Sequence, residues 1–270
     1  MEFNIILSGV GGQGILTIAY LLDNASVANS YHFKQAEVHG MAQRGGAIQT
    51  HLRISDRPIF SDLIPQARAD LIISVEPLEV NRYLSYLKKD GAVVSSSTPV
   101  KNIPDYPDER ELLRHLLSLP NVVLLDASKI ARKAGSSRSE NVVMLGAATP
   151  FLPFKLVPPF IREVFGDKGD RVVETNIKAL TLGFKVSSFF IRLVGHGISK
   201  GTAFALIERF DPESVEPEAA AEWASRLRNN EEEAVRRLAE LEGDVPATRA
   251  GLESLLHNFS TPRSEEEGVL

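Results

Sequence analysis

A glycine-rich motif near the start of the chain could hold a phosphate group. The string Gly9-Val10-Gly11-Gly12-Gln13-Gly14 follows the apolar run Phe3–Ser8 and precedes a helical pattern. Its G-x-G-x-x-G spacing lets the backbone approach an anion at a helix N-terminus. Glu37 follows 23 residues after Gly14, near where dinucleotide-binding folds keep the acid that binds ribose. The motif therefore predicts a site for a phosphate-bearing ligand, or a tight strand-to-helix turn that requires glycine.

A second polar string, EVHGMAQRGG, occupies residues 37–46. It brings Glu37, His39, Gln43 and Arg44 within eight residues and surrounds them with glycines. Such a string is too polar for a core element, so we expect a loop. In one interpretation it is an ordered loop in which Arg44 pairs with Glu37. In the other it faces a partner or an active site, because loops on rigid scaffolds often carry function.

Glu76 lies where a ligand could bind, directly after the apolar run Leu71–Val75. Open α/β sheets bind ligands at the carboxyl ends of their strands. The next residues favour a structural role, since Pro77 suits a first helical turn and Glu79 suits the positive end of a helix dipole. Two interpretations therefore stand, a carboxylate that faces the active site and a residue of a helix N-terminal cap.

The composition excludes several kinds of chemistry. The chain has no cysteine, which excludes disulfides, thiol nucleophiles and cysteine-ligated iron–sulfur clusters. No two of its histidines have His-x-x-x-His spacing, which argues against a self-contained zinc site. A net charge of −5 argues against nucleic-acid binding. The apolar runs are shorter than the roughly 18 residues of a membrane span, and the N-terminus lacks the basic residues of a signal peptide. We therefore expect a cytoplasmic protein with no metal and no membrane segment.

The elements that must position these residues alternate along the chain. Apolar runs predict strands, and amphipathic patterns predict helices between them. This alternation predicts a Rossmann-like α/β fold, a mostly parallel sheet with helices on both faces. The predicted strands are Phe3–Ser8, Leu71–Val75, Ala92–Ser95 and Val122–Leu125; the predicted helices are Gly14–Ala28, Glu79–Leu87, Glu111–Leu117, Ser128–Ala134 and a long one over Val173–Val194. Ala47–Ile54 is expected to be an extended excursion such as a hairpin arm.

The charge pattern divides the chain near residue 200. Residues 1–200 carry a net charge of +4, whereas residues 201–270 hold 7 basic and 16 acidic residues, a net of −9. We expect a main domain over 1–200 and an acidic helical extension over 201–270. A second long helix is predicted over 217–241, with an apolar stripe that includes an exposed-looking Trp223, and the tail Thr261–Leu270 is expected to fray. The stripe needs another surface to bury it, supplied by the main domain or by a partner subunit.

Several motifs occur together in one order along the chain. They are GVGGQG, EVHGMAQRGG, Arg53, Ala69-Asp70, Glu76-Pro77-Leu78-Glu79 with Arg82, Asn141 with Met144-Leu145-Gly146-Ala147, and Asn176 with Ala179 and Gly183-Phe184. In this combination the sequence resembles the gamma-type subunits or domains of 2-oxoacid:ferredoxin oxidoreductases, most closely the beta subunits of the indolepyruvate type. The resemblance extends over about residues 1–195, and EVHGMAQRGG is its most specific part.

The resemblance implies a role within an assembly. In that family thiamine pyrophosphate with Mg²⁺ decarboxylates the 2-oxoacid, [4Fe–4S] clusters pass electrons to ferredoxin, and coenzyme A takes the acyl group. It implies that the thiamine, the Mg²⁺ and the clusters lie in a partner subunit, and that this chain is inactive alone and helps shape the approach to the active site. We assign no catalytic residue to it. The diphosphate of coenzyme A is the candidate ligand of the Gly9–Gly14 loop.

Two other functions are compatible with parts of the sequence. G-x-G-x-x-G and Glu37 would suit a free-standing Rossmann oxidoreductase that binds NAD(P) or FAD. The glycine-flanked polar string after Glu37 argues against it, because the next element there should be a helix. In a purely structural interaction protein, both glycine motifs would be turns without a ligand.

Overall fold

The computed structural model describes residues 1–39, 46–156 and 158–257. Within these ranges six strands form one mixed sheet in the order β2-β3-β1-β4-β5-β6. They are β1 (Glu2–Val10), β2 (His32–His39), β3 (Ala47–Ser55), β4 (Ala69–Ser74), β5 (Leu87–Ser96) and β6 (Val122–Leu125). β1, β4, β5 and β6 are parallel neighbours, and β3 runs antiparallel to both β1 and β2. The predicted mostly parallel α/β sheet is confirmed.

The helices of the same ranges cover both faces of this sheet. They are α1 (Ile15–Ala28), α2 (Pro77–Tyr83), α3 (Glu109–Leu117), α4 (Ala127–Ala134), α5 (Glu140–Ala148), α6 (Pro158–Phe165), α7 (Asp170–Gly195), α8 (Lys200–Arg209), α9 (Ala220–Leu227), α10 (Glu231–Glu240) and α11 (Arg249–His257). Ile5 and Leu7 of β1 pack with α1, α4, α5 and α7. Ile6, on the opposite face, packs with α2 and α3. Because successive side chains of a strand alternate between faces, one apolar strand supplies both cores.

The hairpin formed by β2 and β3 corrects part of the prediction. Ala47–Ser55 is extended, as expected, but it lies inside the sheet between β1 and β2. Glu37, Val38 and His39 belong to β2, so the prediction of a loop at these residues was wrong. The sequence pattern does not predict β2, because this strand lies at the edge of the sheet, where polar side chains are tolerated. Residues 40–45, which include Gln43 and Arg44, lie outside the described ranges.

Helices α5 and α7 pack with their backbones in close approach. A Cβ atom built on Gly146 would lie 2.1 Å from the carbonyl oxygen of Leu180. On the facing helix, a Cβ on Gly183 would lie 2.1 Å from the carbonyl oxygen of Val143. Two glycines therefore set the distance between these helices. The predicted long helix is confirmed as α7, with Val173, Leu180 and Val186 on its buried side.

The apolar side chains of residues 201–257 pack against α7. Phe210 contacts Trp223 with ring centroids 4.8 Å apart, and Phe189 of α7 lies 5.5 Å from Phe210. Trp223 is 1% exposed, so its expected exposure was wrong. These side chains join the core that also holds β1 and α1. The division of the chain at residue 200 and a docking role for the extension stay predictions.

The second long helix predicted over 217–241 is interrupted. A short 3₁₀ turn over Pro217–Ala219 precedes α9, and α10 begins only at Glu231. Asn229 and Asn230 occupy the break, which fits the preference of asparagine for helix ends. Within α10, Glu233 and Arg237 form an i,i+4 ion pair at 2.7 Å.

A buried carboxyl group joins the extension to the sheet. Glu208 of α8 accepts a hydrogen bond from the Ser97 hydroxyl, 3.3 Å away, just after β5. The Lys129 ammonium group donates to the backbone oxygen of Glu208 at 2.7 Å and pairs with Asp244 at 2.8 Å. Burial, and then the negative charge of Asp126, raise the pKa of Glu208 from 4.5 to about 7.

We expect Glu208 to make the protein less stable as the pH rises. Its pKa is higher in the folded chain than in the unfolded chain, so the folded state holds the proton more tightly between pH 4.5 and about 7. The stability that protonation gives is therefore present below about pH 4.5 and lost as the pH rises to about 7. Glu208→Gln should raise the free energy of unfolding at pH 8 by about 1–3 kcal/mol, with a smaller effect at pH 5. Urea unfolding at both pH values measures this, with the exposed Glu174→Gln as the matched control. Equal effects at the two pH values would contradict the prediction.

Candidate functional site

The glycine loop, residues 9–14, connects the carboxyl end of β1 to α1. Gly12 and Gly14 have φ angles of +100° and +74°, which side chains rarely allow. A Cβ atom on Gly14 would lie 2.5 Å from the amide nitrogen of Asn141. That amide instead donates to the carbonyl oxygen of Gly14 at 3.2 Å. The loop therefore needs glycine at both positions, and it brings the N-terminal end of α1 against that of α5.

The side chain of Gln13 holds this loop in place. Its amide oxygen accepts from the N–H of Val10 at 2.8 Å, and its amide nitrogen donates to the carbonyl oxygen of Val75 at 3.1 Å. The N–H of Gly11 is bonded to the carbonyl oxygen of Gly46 at 2.9 Å. Gln13 therefore positions the loop between β1 and β4. The N–H groups of Ile15, in the first turn of α1, and of Gly14 have no backbone acceptor among the described residues, as is usual at the start of a helix.

A cleft of about 810 Å³ opens in front of the glycine loop. Its other walls are the segment from Gly135 to Asn141 and the region from Phe165 to the first turns of α7. Three cations line it, Arg138, Lys168 and Arg171. Hydroxyl and amide groups complete the lining: Thr17, Ser136, Ser137, Ser139, Thr175, Asn141 and Asn176. We call this space, with the glycine loop and the three cations, the basic cleft.

The basic cleft has the chemistry of a site for a polyphosphate group. The N-terminal ends of α1, α5 and α7 all meet it, and the partial positive charge there favours anions. Guanidinium groups add strong bonds to phosphate oxygens. Glu140 is the carboxylate of the lining, and it accepts a bond from the Ser128 hydroxyl. The three cations outnumber it, so the described lining is net positive.

Sequence reasoning missed Arg138, Lys168 and Arg171. They lie more than 120 residues beyond the glycine loop in the chain, and only the fold brings them to it. A weak signal was available, since Arg138 follows Gly135-Ser136-Ser137 and Arg171 follows Gly169. Glycine and serine beside a basic residue, just before a helix, are typical of anion-binding turns.

Glu37 lies away from the basic cleft. In the register of the sheet it faces Thr50, and Thr50 in turn faces Leu7 of β1. Its carboxylate accepts a bond from the amide of Gln35. Of the other residues predicted with it, Gln43, Arg44 and the side chain of His39 lie outside what the structure describes.

Glu76 is 1% exposed and caps α2. Its carboxylate accepts from the N–H of Glu79 at 2.9 Å and from the hydroxyl of Tyr106. These are the contacts that the capping interpretation predicts. Burial and the bond to Glu76 both raise the pKa of Tyr106, so this hydroxyl keeps its proton. Glu76 directly follows Val75, whose carbonyl oxygen accepts the bond from Gln13.

The described ranges contain no group of three or more His, Asp or Glu side chains close enough to hold a metal ion. None of their helices is both long enough and apolar enough to span a bilayer.

Comparison with known proteins places the chain in a family. The model of the pyruvate ferredoxin/flavodoxin oxidoreductase family matches residues 4–186, and the chain belongs to this family. The chain is similar to indolepyruvate oxidoreductase subunit IorB of Pyrococcus horikoshii, with 37% identity over 71% of this chain and 99% of that protein. The corresponding subunit of Thermococcus kodakarensis is 34% identical over the same shares.

Solved structures share the fold. The 2-oxoglutarate:ferredoxin oxidoreductase of Magnetococcus marinus matches 69% of this chain with a TM-score of 0.55 and 20% identity. The match covers 31% of that longer chain. A pyruvate oxidoreductase subunit of Thermotoga maritima matches 68% of this chain and 96% of its own length, with a TM-score of 0.51 and 19% identity. The predicted α/β class and family are thus confirmed.

Proposed function

We propose that the chain is the non-cluster subunit of a thiamine-dependent 2-oxoacid:ferredoxin oxidoreductase that acts on aryl pyruvates of the indolepyruvate type. The similarity to indolepyruvate oxidoreductase subunits, at 33–37% identity over about 70% of this chain, carries the proposal. The reaction converts the 2-oxoacid to an acyl-coenzyme A and passes electrons to ferredoxin.

The residues of the chain suit a division of labour within that complex. A chain without cysteine cannot ligate a [4Fe–4S] cluster through thiolates. The clusters therefore belong to a partner subunit, and the family membership implies that thiamine pyrophosphate and Mg²⁺ lie there too, where thiamine would supply the decarboxylation chemistry. The role of this chain is to bind and orient a ligand and to help enclose the approach to the active site. The basic cleft is the described feature best suited to binding.

Coenzyme A is the ligand that we propose for the basic cleft. Its diphosphate would lie on the N–H groups of Gly14 and Ile15, where the helix dipole of α1 favours negative charge. Arg138, Lys168 and Arg171 would bind the remaining phosphate oxygens. The cleft volume of about 810 Å³ suits a ligand larger than a single phosphate.

Replacing Arg171 by alanine should raise the KM for coenzyme A. Loss of a charge-assisted hydrogen bond costs about 1.5–3 kcal/mol, so we expect a rise of about tenfold or more with little change in kcat. Arg138→Ala should act in the same direction, and Arg171→Lys should recover part of the loss. The assay is steady-state kinetics of the complete complex with varied coenzyme A.

The control is Arg226→Ala, an exposed arginine of α9 that is remote from the cleft. An unchanged KM in both cleft variants would contradict coenzyme A binding there, while leaving the family assignment intact.

The alternative, a free-standing NAD(P)- or FAD-binding enzyme, has less support. In Rossmann folds the strand that carries the ribose-binding acid lies beside β1. Here β3 lies between β1 and β2, so Glu37 is roughly 9–10 Å from β1 across the sheet. Titration of the purified chain with NADH and an absorbance scan for flavin distinguish the two functions. Micromolar NADH affinity or a copurified flavin would favour the alternative.

Copurification tests the proposed function. The tagged full chain, expressed in its native source, should retain a larger subunit that contains iron and thiamine, identified by mass spectrometry and metal analysis. The chain alone should be colourless. Recovery of the chain without such a subunit would count against the proposal.

A further inference from the structure

The chain that follows β3 forms a short loop with an aromatic ring in solvent. We call residues 56–64 the Phe60 loop, because the side chain of Phe60 is 95% exposed. Leu63 is 55% exposed as well. Ile64, at the end of the loop, is 2% exposed and joins the core on the α2 face of the sheet. Ile64 is thus the buried residue that attaches this loop to the core.

Two cationic side chains of the sheet bind carbonyl groups of the loop. The Lys34 ammonium group of β2 donates to the carbonyl oxygen of Phe60 at 3.3 Å. Arg53 of β3 donates to the carbonyl oxygens of Ser61 and Leu63 at 2.9 and 3.3 Å. These bonds fix the backbone on both sides of the exposed ring.

A further anchor of the loop is a histidine that acts as an acceptor. The backbone N–H of Ile64 donates to Nδ1 of His51 at 3.0 Å. His51 lies on β3 and is 3% exposed. An imidazole accepts a hydrogen bond only while it is neutral, because both of its nitrogens carry hydrogen once it is protonated. The bond that holds Ile64 therefore requires neutral His51.

The surroundings of His51 favour the neutral form. An isoleucine of β1 and an alanine of β2 pair with it in the sheet. Its ring meets that of Tyr86 edge to face, with centroids 5.3 Å apart, and Tyr83 of α2 lies beyond Tyr86. Burial raises the pKa of Tyr83, so that phenol stays uncharged. Burial lowers the pKa of His51 from 6.5, and the negative charge of Asp62 opposes part of this effect.

The other charged groups on this face leave Asp62 as the carboxylate for a protonated His51. Arg53 of β3 and Lys34 of β2 share the face with His51, since alternate residues of a strand point the same way. Both are cations and offer a protonated imidazole no acceptor. Glu2 of β1 is paired with Arg53 at 2.7 Å. Asp62 belongs to the Phe60 loop itself and interacts with His51 through its charge.

We propose that His51 is a proton-sensitive latch for the Phe60 loop. Neutral His51 binds the N–H of Ile64 and keeps this end of the loop on the sheet. A proton taken from solvent at Nδ1 breaks that bond, and the new N–H is directed to the carboxylate of Asp62, two residues before Ile64. The Ile64 end of the loop is then released, while the bonds to the carbonyl groups remain.

The latch is closed at neutral pH and opens as the pH falls. In the closed loop burial keeps the pKa of His51 below 6.5, whereas release returns it to that ordinary value. The open loop thus binds the proton more tightly. The stability of the closed loop is therefore present above about pH 6.5 and lost as the pH falls through the lower pKa of the closed form. No ligand or partner enters this inference, so it is independent of the proposed function.

Amide hydrogen exchange of the ¹⁵N-labelled full chain, followed by NMR, tests the latch. The protection factor of Ile64, corrected for the intrinsic effect of pH, should fall by about three- to tenfold between about pH 7.5 and 5.5, because the lower pH is about one unit below the ordinary histidine value. Ile72 lies in β4, between β1 and β5. It is the reference, and its protection should not fall.

Three variants separate the latch from other effects of pH. His51→Asn keeps an acceptor near the position of Nδ1 but takes up no proton, so protection of Ile64 should no longer fall at low pH. Asp62→Asn removes the charge that favours protonated His51, so the fall should move to lower pH. His115→Asn, which changes an exposed histidine of α3, is the matched control and should behave as the unmodified chain does.

Unchanged protection of Ile64 at about pH 5.5 in the unmodified chain would overturn the latch. So would a fall of the same size in folded His51→Asn. Loss of protection at Ile64 and Ile72 together would also overturn it, because His51 would then be protonated only on global unfolding. If His51→Asn does not fold, the unmodified chain and Asp62→Asn decide, and an unshifted fall in Asp62→Asn would refute the transfer to Asp62.

Discussion

Gly146→Ala is expected to destabilise the protein by about 3 kcal/mol or more, the range of severe overpacking. The added methyl group would lie 2.1 Å from the backbone oxygen of Leu180. Neither helix can move aside freely, because α5 and α7 lie at the centre of the core and Gly183 makes the reciprocal close approach to Val143. The free energy of unfolding from urea denaturation measures the effect.

Gly201→Ala is the matched control. It adds the same methyl group in helix α8, where no atom lies within 4 Å of the new Cβ. Alanine favours a helix over glycine by roughly 0.5–1 kcal/mol, so this variant should be slightly more stable. Equal effects at the two positions would contradict the close packing of α5 on α7.

Removal of all residues after Lys200 is expected to prevent stable folding of what remains. The truncation would uncover Phe189, which is fully buried and packs against Phe210 and Trp223. Trp223→Ala alone should cost about 3–5 kcal/mol, as is usual for a buried aromatic truncated to alanine. The truncated chain should be insoluble, or lose helix signal beyond that of the deleted residues.

Trp223→Phe serves as the control, since it keeps an aromatic ring against Phe210. It should lose clearly less stability than Trp223→Ala. A truncated chain that stays soluble, with α7 helical and a cooperative thermal transition, would contradict the account of the extension as part of the core. Such a chain with lost partner affinity would instead support the expectation that a partner subunit buries the apolar stripe of the extension.

Much of the fold could be predicted because local sequence determines it. The apolar run before Gly9 is short and followed by glycines, which favours a buried strand, and the stripe from Val173 onward has the period of a helix. The Gly9–Gly14 loop contains positive φ angles at Gly12 and Gly14, and the spacing of the glycines indicates such a turn. These features depend on neighbours in sequence.

The features that the sequence did not predict depend on residues that are close in space but distant in the chain. Glu37 and Val38 belong to a strand because β3 pairs with them, although their polarity suggests a loop. Trp223 is buried because Phe189 of α7 and Phe210, directly after α8, supply the opposing rings. Arg138 and Arg171 reach the glycine loop only through the packing of α5 on α1 and of α7 on α5.

Reconstitution of activity from separated subunits tests the central claim most directly. The chain, the thiamine- and cluster-bearing subunit, and their mixture are each assayed for reduction of ferredoxin with indolepyruvate and coenzyme A. The account predicts no turnover by this chain alone and full coenzyme A-dependent turnover only in the mixture. Turnover by this chain alone, or full turnover by the partner without it, would contradict the claim.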